Sequence, residues 1–366
     1  MAGTLQRPPG CAPPPGPRRA RRMREHRRVT SDQRERYSRQ IRFSGIGEAG
    51  QARLLAATVA VVGCGALGSF QASALARAGC GSLVLIDRDF VEFSNLQRQW
   101  LYDEDDARDA VPKAVAAARH IERINSSIRV SPVIADLTAE NISDLLGSAS
   151  VILDGTDNFD TRYLINDFAV ANGIPWVYGA AVAGYGLEMP VIPGVTACLK
   201  CVFPEPPAAG QPTCETAGVI NVVTSAVASL QVADALKIIC GQTVRPRIAT
   251  LDVWTGELRQ IAQPEPDPNC PCCGRRDFIH LNEVRRAPVR LCGSNAVQIH
   301  ECVRAIDLAD LGRRLASAGD VRTNEFAVRF ATPPYELTIF ADGRAIIKGT
   351  SDVALARSLY ARYVGN

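Results

Sequence analysis

The sequence lacks the long apolar segments of a membrane protein. No apolar run continues unbroken for about 18 residues, and the first segment has no apolar stretch of the kind that secretory signals carry. We therefore expect no membrane span and no secretion. The composition is that of an ordinary globular protein, with 46% hydrophobic and 22% charged residues in 366. This length predicts one large domain plus a smaller one.

Lysine and histidine are scarce. Four of the 41 basic residues are Lys, and none of the four His lies within a motif described below. The chemistry therefore does not depend on a His general base. Where Arg is so favoured, Lys113 at the start of an Ala-rich helix is interpreted as a point charge for a phosphate, with a solvated surface Lys as the alternative.

The basic charge is confined to one end. Residues 1–30 carry eight Arg and one Glu, a net charge of +7. The whole chain has a net charge of +3, so the rest of the chain carries −4. The acidic remainder argues against a nucleic-acid partner. Residues 1–30 also hold six Pro and few large apolar residues. They are predicted to be a disordered tail, with an acidic surface as a less favoured partner.

A glycine-rich turn follows the first apolar strand. Val59 to Val62 lead into Gly63-Cys64-Gly65-Ala66-Leu67-Gly68, and a second strand ends on Asp87 and Asp89. Such glycines permit a tight turn, a close approach of the backbone to a phosphate, and packing of helix on strand. A nicotinamide or flavin dehydrogenase is the common interpretation. The polar segment Ser94–Gln99, with Arg98, favours instead a protein that binds a nucleoside triphosphate and cleaves it.

The order of elements predicts a parallel sheet. Helices are expected over 107–124, 161–171 and 219–239, and strands over 129–135, 151–153 and 176–181, an alternation that gives a mainly parallel sheet with helices on both faces. Ligands bind such sheets at the carboxyl ends of the strands. Asp157 and Asn158 lie at such an end, where Asp157 could equally be a helix N-cap.

Two CxxC motifs form an independent signal. Cys198 with Cys201, and Cys270 with Cys273, each lie in a short turn, and clustered cysteines indicate a reducing cytoplasm. The pairs predict a structural Cys₄ zinc site, with redox or unrelated thiols as the alternative. Cys214 differs, because it follows a Pro-rich loop and precedes a helix. It is either a reactive thiol or a free loop cysteine.

Together these motifs resemble the E1-like ThiF/MoeB family, whose members adenylate ubiquitin-like sulfur carriers. The resemblance runs from Arg36 to about Leu281. Beside the features above, it rests on Arg36-Tyr-Ser-Arg39-Gln-Ile, Pro112-Lys113 and Thr156-Asp157-Asn158. Ala66 departs from a frequent Gly, which is harmless if only its N–H is used, and residues 1–30 have no counterpart.

The resemblance implies a role for each matching residue. Lys113 and Arg98 contact phosphate, Asp157 positions Mg²⁺, Arg39 reaches the partner subunit's site in a homodimer, and Cys214 can bond to the carrier or the sulfur relay. The residues implied in ATP binding are Gly63, Gly65, Ala66, Gly68, Asp87, Asp89, Ser94, Asn95, Leu96, Gln97, Arg98, Lys113, Asp157 and Asn158.

The expected fold is therefore an α/β fold with a Rossmann-like, mainly parallel sheet, a zinc-knuckle end and a small C-terminal α+β module. The expected domains are 1–30, 31–282 and 283–366. The module resembles that of longer ThiF-type proteins and has no rhodanese-like cysteine loop, so a separate cysteine desulfurase or rhodanese-type protein must donate the sulfur. The expected partner is a carrier ending in Gly-Gly, of ThiS type before MoaD type. An NAD(P)-dependent oxidoreductase and a tRNA-modifying E1-like enzyme remain alternatives.

Overall fold

The computed structural model describes residues 29–206, 214–282, 289–291, 295–299 and 305–365, without the side chains of residues 214, 215 and 289–291, and contains two β-sheets flanked by helices. The strands are β1 Thr58–Val62, β2 Ser82–Ile86, β3 Arg129–Val133, β4 Val151–Asp154, β5 Trp176–Val182, β6 Tyr185–Val191, β7 Arg247–Asp252, β8 Glu257–Ala262, β9 Val289–Leu291, β10 Ala296–Ile299, β11 Asp320–Thr323, β12 Ala327–Thr332, β13 Tyr335–Phe340 and β14 Ala345–Lys348. The helices are α1 Ser31–Arg36, α2 Ser38–Ile41, α3 Gly47–Ala56, α4 Ala66–Ala78, α5 Glu104–Arg108, α6 Lys113–Ile124, α7 Ile142–Leu146, α8 Phe159–Asn172, α9 Leu199–Val202, α10 Cys214–Ala217, α11 Asn221–Cys240, α12 Ile279–Asn282, α13 Leu308–Leu315 and α14 Val353–Tyr363.

The first sheet has eight strands in the order β3-β2-β1-β4-β5-β6-β7-β8. Its first five strands pair in parallel, and β6, β7 and β8 continue it in antiparallel pairs. Strand β1 lies between β2 and β4, and its residues 59–61 are fully buried. Burial on both faces explains why this strand is a continuous apolar run. The predicted Rossmann-like, mainly parallel sheet is confirmed.

One long helix covers a face of this sheet. By length and composition alone, α11 is apolar enough to cross a membrane, with a mean hydropathy of 1.5, the one such helix in the described part of the chain. It packs on α4, β5 and β6. Its Gln231 is fully buried and donates to the carbonyls of Asp154 and Val177 at 2.8 and 3.0 Å. The packing of α11 on the sheet accounts for its apolar composition.

The second sheet is antiparallel, with the order β11-β12-β13-β14-β10-β9. With α13 and α14 it forms the C-terminal module, which has a core of its own that includes Phe330, Ile339 and Tyr360. Strands β13 and β14 are joined at Asp342-Gly343, a pair of residues typical of hairpin turns, and Gly343 has a φ of 86°. The small α+β module is confirmed.

The helix predicted over 107–124 is in fact two helices. It is interrupted between α5 and α6, where Pro112 is the N-cap of α6 with a ψ of 135°. Ala110 has a φ of 48°, which a helix cannot contain. His120 of α6 lies 2.6 Å from Asp106 of α5 and joins the two helices. Pro112 therefore stands before the first turn, and the interruption places Lys113 at a helix start.

Candidate functional site

The glycine-rich turn is packed against a second turn by contacts that exclude side chains. Gly63 has a φ of 85°, and a Cβ on Gly68 would lie 1.8 Å from its carbonyl oxygen. A Cβ on Gly155, which follows β4, would lie 2.3 Å from the same oxygen. A Cβ on Gly65 would meet no atom closer than Gln99 Nε2, at 3.9 Å. The backbone at Gly65 therefore faces open space, as a turn that receives a phosphate requires.

The carboxylate of Asp87 stabilises this turn through hydrogen bonds. Its Oδ2 accepts from the Cys64 N–H at 2.7 Å, and its Oδ1 accepts from the Asp89 N–H at 2.7 Å. Burial, partly offset by Lys113 and reinforced by Asp89, raises the pKa of Asp87 to about 6. A carboxylate already holding two backbone groups is fixed in orientation, so any hydroxyl it binds meets a preset acceptor.

Lys113 lies beside Asp89. Its Nζ donates to Asp89 Oδ2 at 3.1 Å, and its N–H donates to the Asp89 carbonyl at 2.8 Å. The Lys113 side chain is 9% exposed, whereas that of Asp89 is 51% exposed. Burial opposes the charge, but Asp89 and Asp87 more than offset it and raise the pKa of Lys113. Lys113 is thus a permanent cation with a fixed position, and the solvated-lysine alternative is wrong.

The polar segment after β2 divides into buried and exposed residues. Asn95 is buried and accepts from the Glu92 N–H at 3.1 Å, whereas Ser94 and Gln97 are exposed. Arg98 is half-buried, and its guanidinium donates to the Ser94 carbonyl at 2.8 Å. Leu96 is also half-buried and packs on the core around β1.

Gln99 ends the predicted polar segment but was not among the residues implied in ATP binding. Its side chain is 4% exposed, and its Oε1 has no hydrogen-bond partner among the described residues. Because its amide also approaches the open side of Gly65, this group is placed to meet a ligand. Its position at the end of the polar segment was the only available signal.

The carboxyl end of β4 carries a buried ion pair. Arg162 Nε donates to Asp154 Oδ2 at 3.0 Å, and Arg162 Nη2 donates to the Thr156 carbonyl at 2.6 Å. These contacts hold the turn on which Asp157 is exposed. Asn158 is the N-cap of α8 and accepts from the Thr161 N–H at 2.8 Å. Asp157 is therefore not the cap, and its carboxylate is left available to a cation. Neither Asp154 nor Arg162 was predicted.

Arg39 makes no polar contact with these residues in the described part of the chain. It is exposed on α2, and within the described ranges no hydrogen bond or ion pair joins it to the glycine turn, Lys113 or Asp157. Its neighbours fix the helix: Tyr37 is buried against Gly79, and Gln40 donates to Gln51 Oε1 at 2.7 Å. The motif therefore combines structural residues with an exposed arginine, Arg39.

The four predicted cysteines converge. Their sulfur atoms all lie within 4.8 Å of one another. The Cys198–Cys270, Cys201–Cys273 and Cys198–Cys201 distances are 3.6, 3.4 and 3.9 Å. A tetrahedron with Zn–S bonds of about 2.3 Å has edges of about 3.8 Å, so the cluster fits a four-coordinate zinc.

A fifth cysteine, Cys272, belongs to the hydrogen-bond network around the cluster. Cys272 is buried, and its Sγ accepts from Asn166 Nδ2 at 3.1 Å, while Asn166 Oδ1 accepts from the Leu199 N–H at 2.8 Å. Asn166 thus ties both knuckles to α8. A hydrogen bond from Cys272, opposed by burial, lowers the pKa of Cys198 to about 4, which favours the thiolate that binds metal.

Two further regions do not add to the site. Residues 207–213 and the side chain of Cys214 lie outside the description, so the interpretation of this thiol stays a prediction. An open cleft of about 540 Å³ lies between the region of α5 and α6 and the module, lined by residues such as Phe90, Arg119 and Arg322. It contains none of the predicted nucleotide-binding residues.

Comparison with known proteins identifies relatives along the whole described fold. The model of the ThiF family matches residues 37–272. The sulfur carrier protein ThiS adenylyltransferase of Bacillus subtilis is 44% identical over 334 residues, which cover 90% of this chain and 99% of that protein. The sulfur carrier protein adenylyltransferase of Thermus thermophilus is 37% identical over 255 residues, covering 68% of this chain and 93% of that protein.

Solved structures share the fold. The crystal structure of E. coli MccB with ATP superposes with a TM-score of 0.57 at 24% identity, covering 65% of this chain and 74% of that chain. A similarity at this level of identity shows the architecture of the first sheet and its helices, and nothing about ligands.

Proposed function

Because the chain belongs to the ThiF family and is an E1-like adenylyltransferase, we propose that it adenylates the C-terminal carboxylate of a ubiquitin-like sulfur carrier ending in Gly-Gly. A carrier of the ThiS type, serving thiamine thiazole synthesis, is favoured over the MoaD type of molybdopterin synthesis. The match to a ThiS adenylyltransferase over 99% of its length supports this order, because it includes the C-terminal module. We place the reaction in the cytoplasm.

The observation that carries the proposal is the set of polar and charged groups around the open side of the glycine-rich turn. Gly65 faces open space, Gln99 has a buried oxygen with no hydrogen-bond partner in the part of the chain that the structure describes, and Asp87 is fixed at the end of β2. Lys113 adds a buried positive charge on the same edge. These groups suit the base, ribose and phosphates of ATP, which is the substrate of this enzyme class.

The chemistry needs charge neutralisation more than proton transfer. A carboxylate oxygen of the carrier attacks the α-phosphorus of ATP, and the bond from that phosphorus to the bridging oxygen breaks. Pyrophosphate leaves with the electron pair, and an acyl adenylate remains. Both reactants are anions, so Lys113 and Arg98 lower the barrier by electrostatic stabilisation, and Asp157 would hold a Mg²⁺ ion that would supply further positive charge. No residue has to remove a proton, since the nucleophile is already ionised.

The remaining parts of the proposal concern metal and partners. Zinc at the four cysteines has a structural role, because the thiolates fill all four positions and leave none for water. A second copy of the chain supplies Arg39 to complete each site. Sulfur comes from a separate donor protein, a cysteine desulfurase or a rhodanese type. An NAD(P)-dependent oxidoreductase would give the buried Lys113 no function.

Pyrophosphate exchange tests this function. The wild-type chain with ATP, Mg²⁺ and a Gly-Gly-ended carrier should exchange labelled pyrophosphate into ATP, and omission of the carrier or of Mg²⁺ should stop it. Asp157→Asn should lower the rate by about 10²–10³. Because Asp157 is exposed, the fold should survive the change. Asp160→Asn, an exposed position three residues later, is the matched control and should keep the wild-type rate. Equal rates for both variants would refute the magnesium assignment, and exchange without any carrier would refute the proposed substrate.

A further inference from the structure

The C-terminal module contacts the first sheet at the segment that follows β2. Phe340 of β13 stacks on Phe90, with ring centroids 5.8 Å apart and ring planes at 28°. Both rings are buried, and Ala296, Ala327 and Ile346 of the module complete the apolar cluster. Phe90 directly follows Asp89, which accepts from Lys113. The module therefore packs one residue away from the charged pair of the nucleotide site.

A polar contact runs parallel to this stack. Lys348 Nζ, on β14, donates to Glu92 Oε1 at 2.8 Å. The other oxygen of Glu92 accepts from Ser94 Oγ at 3.5 Å, and the Glu92 N–H donates to Asn95 Oδ1 at 3.1 Å. Partial burial acts to raise the pKa of Glu92, but the hydrogen bond and charge of Lys348 lower it. Glu92 thus joins the module to two residues implied in ATP binding, to Ser94 through its carboxylate and to Asn95 through its backbone N–H.

The module also holds the segment before Lys113. Asn324 Nδ2 donates to the Ala110 carbonyl at 3.1 Å, two residues before Pro112. Arg344 Nη2 donates to the Ile134 carbonyl at 3.0 Å, just after β3. The two chain segments that carry Asp89 and Lys113 are therefore both attached to the same small sheet.

We propose that the C-terminal module positions the nucleotide site, with Lys348 acting through Glu92 on Ser94 and Asn95, and Phe340 acting through Phe90 on Asp89. This inference rests on the proposed function, because it assigns a purpose to contacts around the proposed ATP site. Lys348 is a positioning residue, since its hydrogen bond is with Glu92, which is not among the residues implied in ATP binding, and its charge also acts to lower the pKa of Asp89. Its loss should weaken ATP binding more than the chemical step.

Lys348→Met in the full chain tests the proposal. The KM for ATP should rise about two- to fivefold, the range expected for a partly exposed ion pair, while kcat changes less. Lys348→Arg should restore the wild-type KM. The matched control is Arg313→Met, because Arg313 is 71% exposed and its ion pair with Asp310 lies within the module. That control should leave both constants unchanged.

A double-mutant cycle and hydrogen exchange complete the test. Glu92→Gln should raise the KM similarly, and adding Lys348→Met to it should have little further effect, since the two residues act as a pair. Without nucleotide, Lys348→Met should speed amide exchange of residues 87–96, and Arg313→Met should not. Unchanged exchange and an unchanged KM in Lys348→Met would overturn the proposal. If the wild-type protein catalysed no pyrophosphate exchange, the function would fail, and hydrogen exchange would still report on the module.

Discussion

A buried cluster of charges joins β6, β7 and α11. Arg247 Nη1 donates to Asp234 Oδ2 at 2.6 Å, and Arg247 Nη2 lies 3.0 Å from Glu188 Oε2 without the alignment of a hydrogen bond. Lys237 also contacts Asp234, at 2.9 Å. Both carboxylates are fully buried. Burial, followed by the charge of Asp234, raises the pKa of Glu188 to about 8.

This shift predicts how stability depends on pH. Between about pH 4.5 and 8 the folded chain holds a proton on Glu188 that the unfolded chain has lost. The contribution of this group to stability is therefore complete below pH 4.5 and is lost as the pH rises to 8. Glu188→Gln cannot lose that proton. Relative to wild type, its free energy of unfolding should increase from pH 5 to pH 8 by roughly 3 kcal/mol.

Denaturant unfolding at several pH values measures this difference. Glu257→Gln is the control, because the Glu257 side chain is 58% exposed on β8. A wild-type minus Glu188→Gln difference that stayed constant over this range would contradict the assignment.

Residue types at strand ends could be predicted, but their partners could not. Asp87, Asp89 and Asp157 all follow apolar strands, so a parallel sheet was sufficient to place them on one edge. Arg162 and Gln99 depend on contacts that arise only when the turns after β1, β2 and β4 meet. A lone Gln or Arg in a sequence has no pattern that marks such a contact.

At the scale of elements, the two knuckles join distant segments. Cys198 and Cys270 are separated by 72 positions, and their sulfur atoms are 3.6 Å apart. A metal bound here closes that loop, and structural zinc in small peptides contributes about 10–16 kcal/mol to folding. The spacing of two CxxC motifs predicted the convergence, whereas the support from Asn166 required the packing of α8.

We predict that Cys270→Ser loses zinc and stability together. Elemental analysis of the purified wild-type protein should find one zinc per chain, and chelator should lower its melting temperature. Cys270→Ser should bind much less zinc and should melt lower. Cys80→Ala, at a core cysteine outside the cluster, should retain its zinc even where it melts lower. Zinc-free wild-type protein of full stability would exclude the site.

The helix α10 begins at Cys214. The thiol of Cys214 is predicted to act after adenylation. Adenylation needs no thiol, because the nucleophile is a carboxylate, whereas sulfur transfer through this protein needs one to capture the acyl adenylate. Cys214→Ala should therefore keep pyrophosphate exchange and slow thiocarboxylate formation when a sulfur donor is present. Mass spectrometry of the carrier distinguishes adenylate from thiocarboxylate. Equal thiocarboxylate yields from variant and wild type would make Cys214 a bystander.

At the scale of the whole molecule, the parallel half of the first sheet was predicted and its antiparallel extension was not. Alternating apolar strands and helices have distinct periods, and β1 to β5 follow that rule. Strand β8 is exposed along its whole length, so no burial pattern marks it. The split of α5 from α6 was missed because the apolar periodicity continues across Pro112.

Arg39 leads to the last prediction, which concerns the assembly. Its exposed position on α2 is consistent with a role in the site of a second copy. Arg39→Ala and Asp157→Asn should each be nearly inactive alone. In a two-fold dimer, mixing and reassociating the two variants puts both changes in one site of each hybrid and leaves the other site intact, so about a quarter of the wild-type exchange rate should return. Mixing without subunit exchange is the control and should stay inactive. A reassociated mixture that recovers no activity, although hybrid dimers are detected by native mass spectrometry, would mean that Arg39 acts within its own subunit.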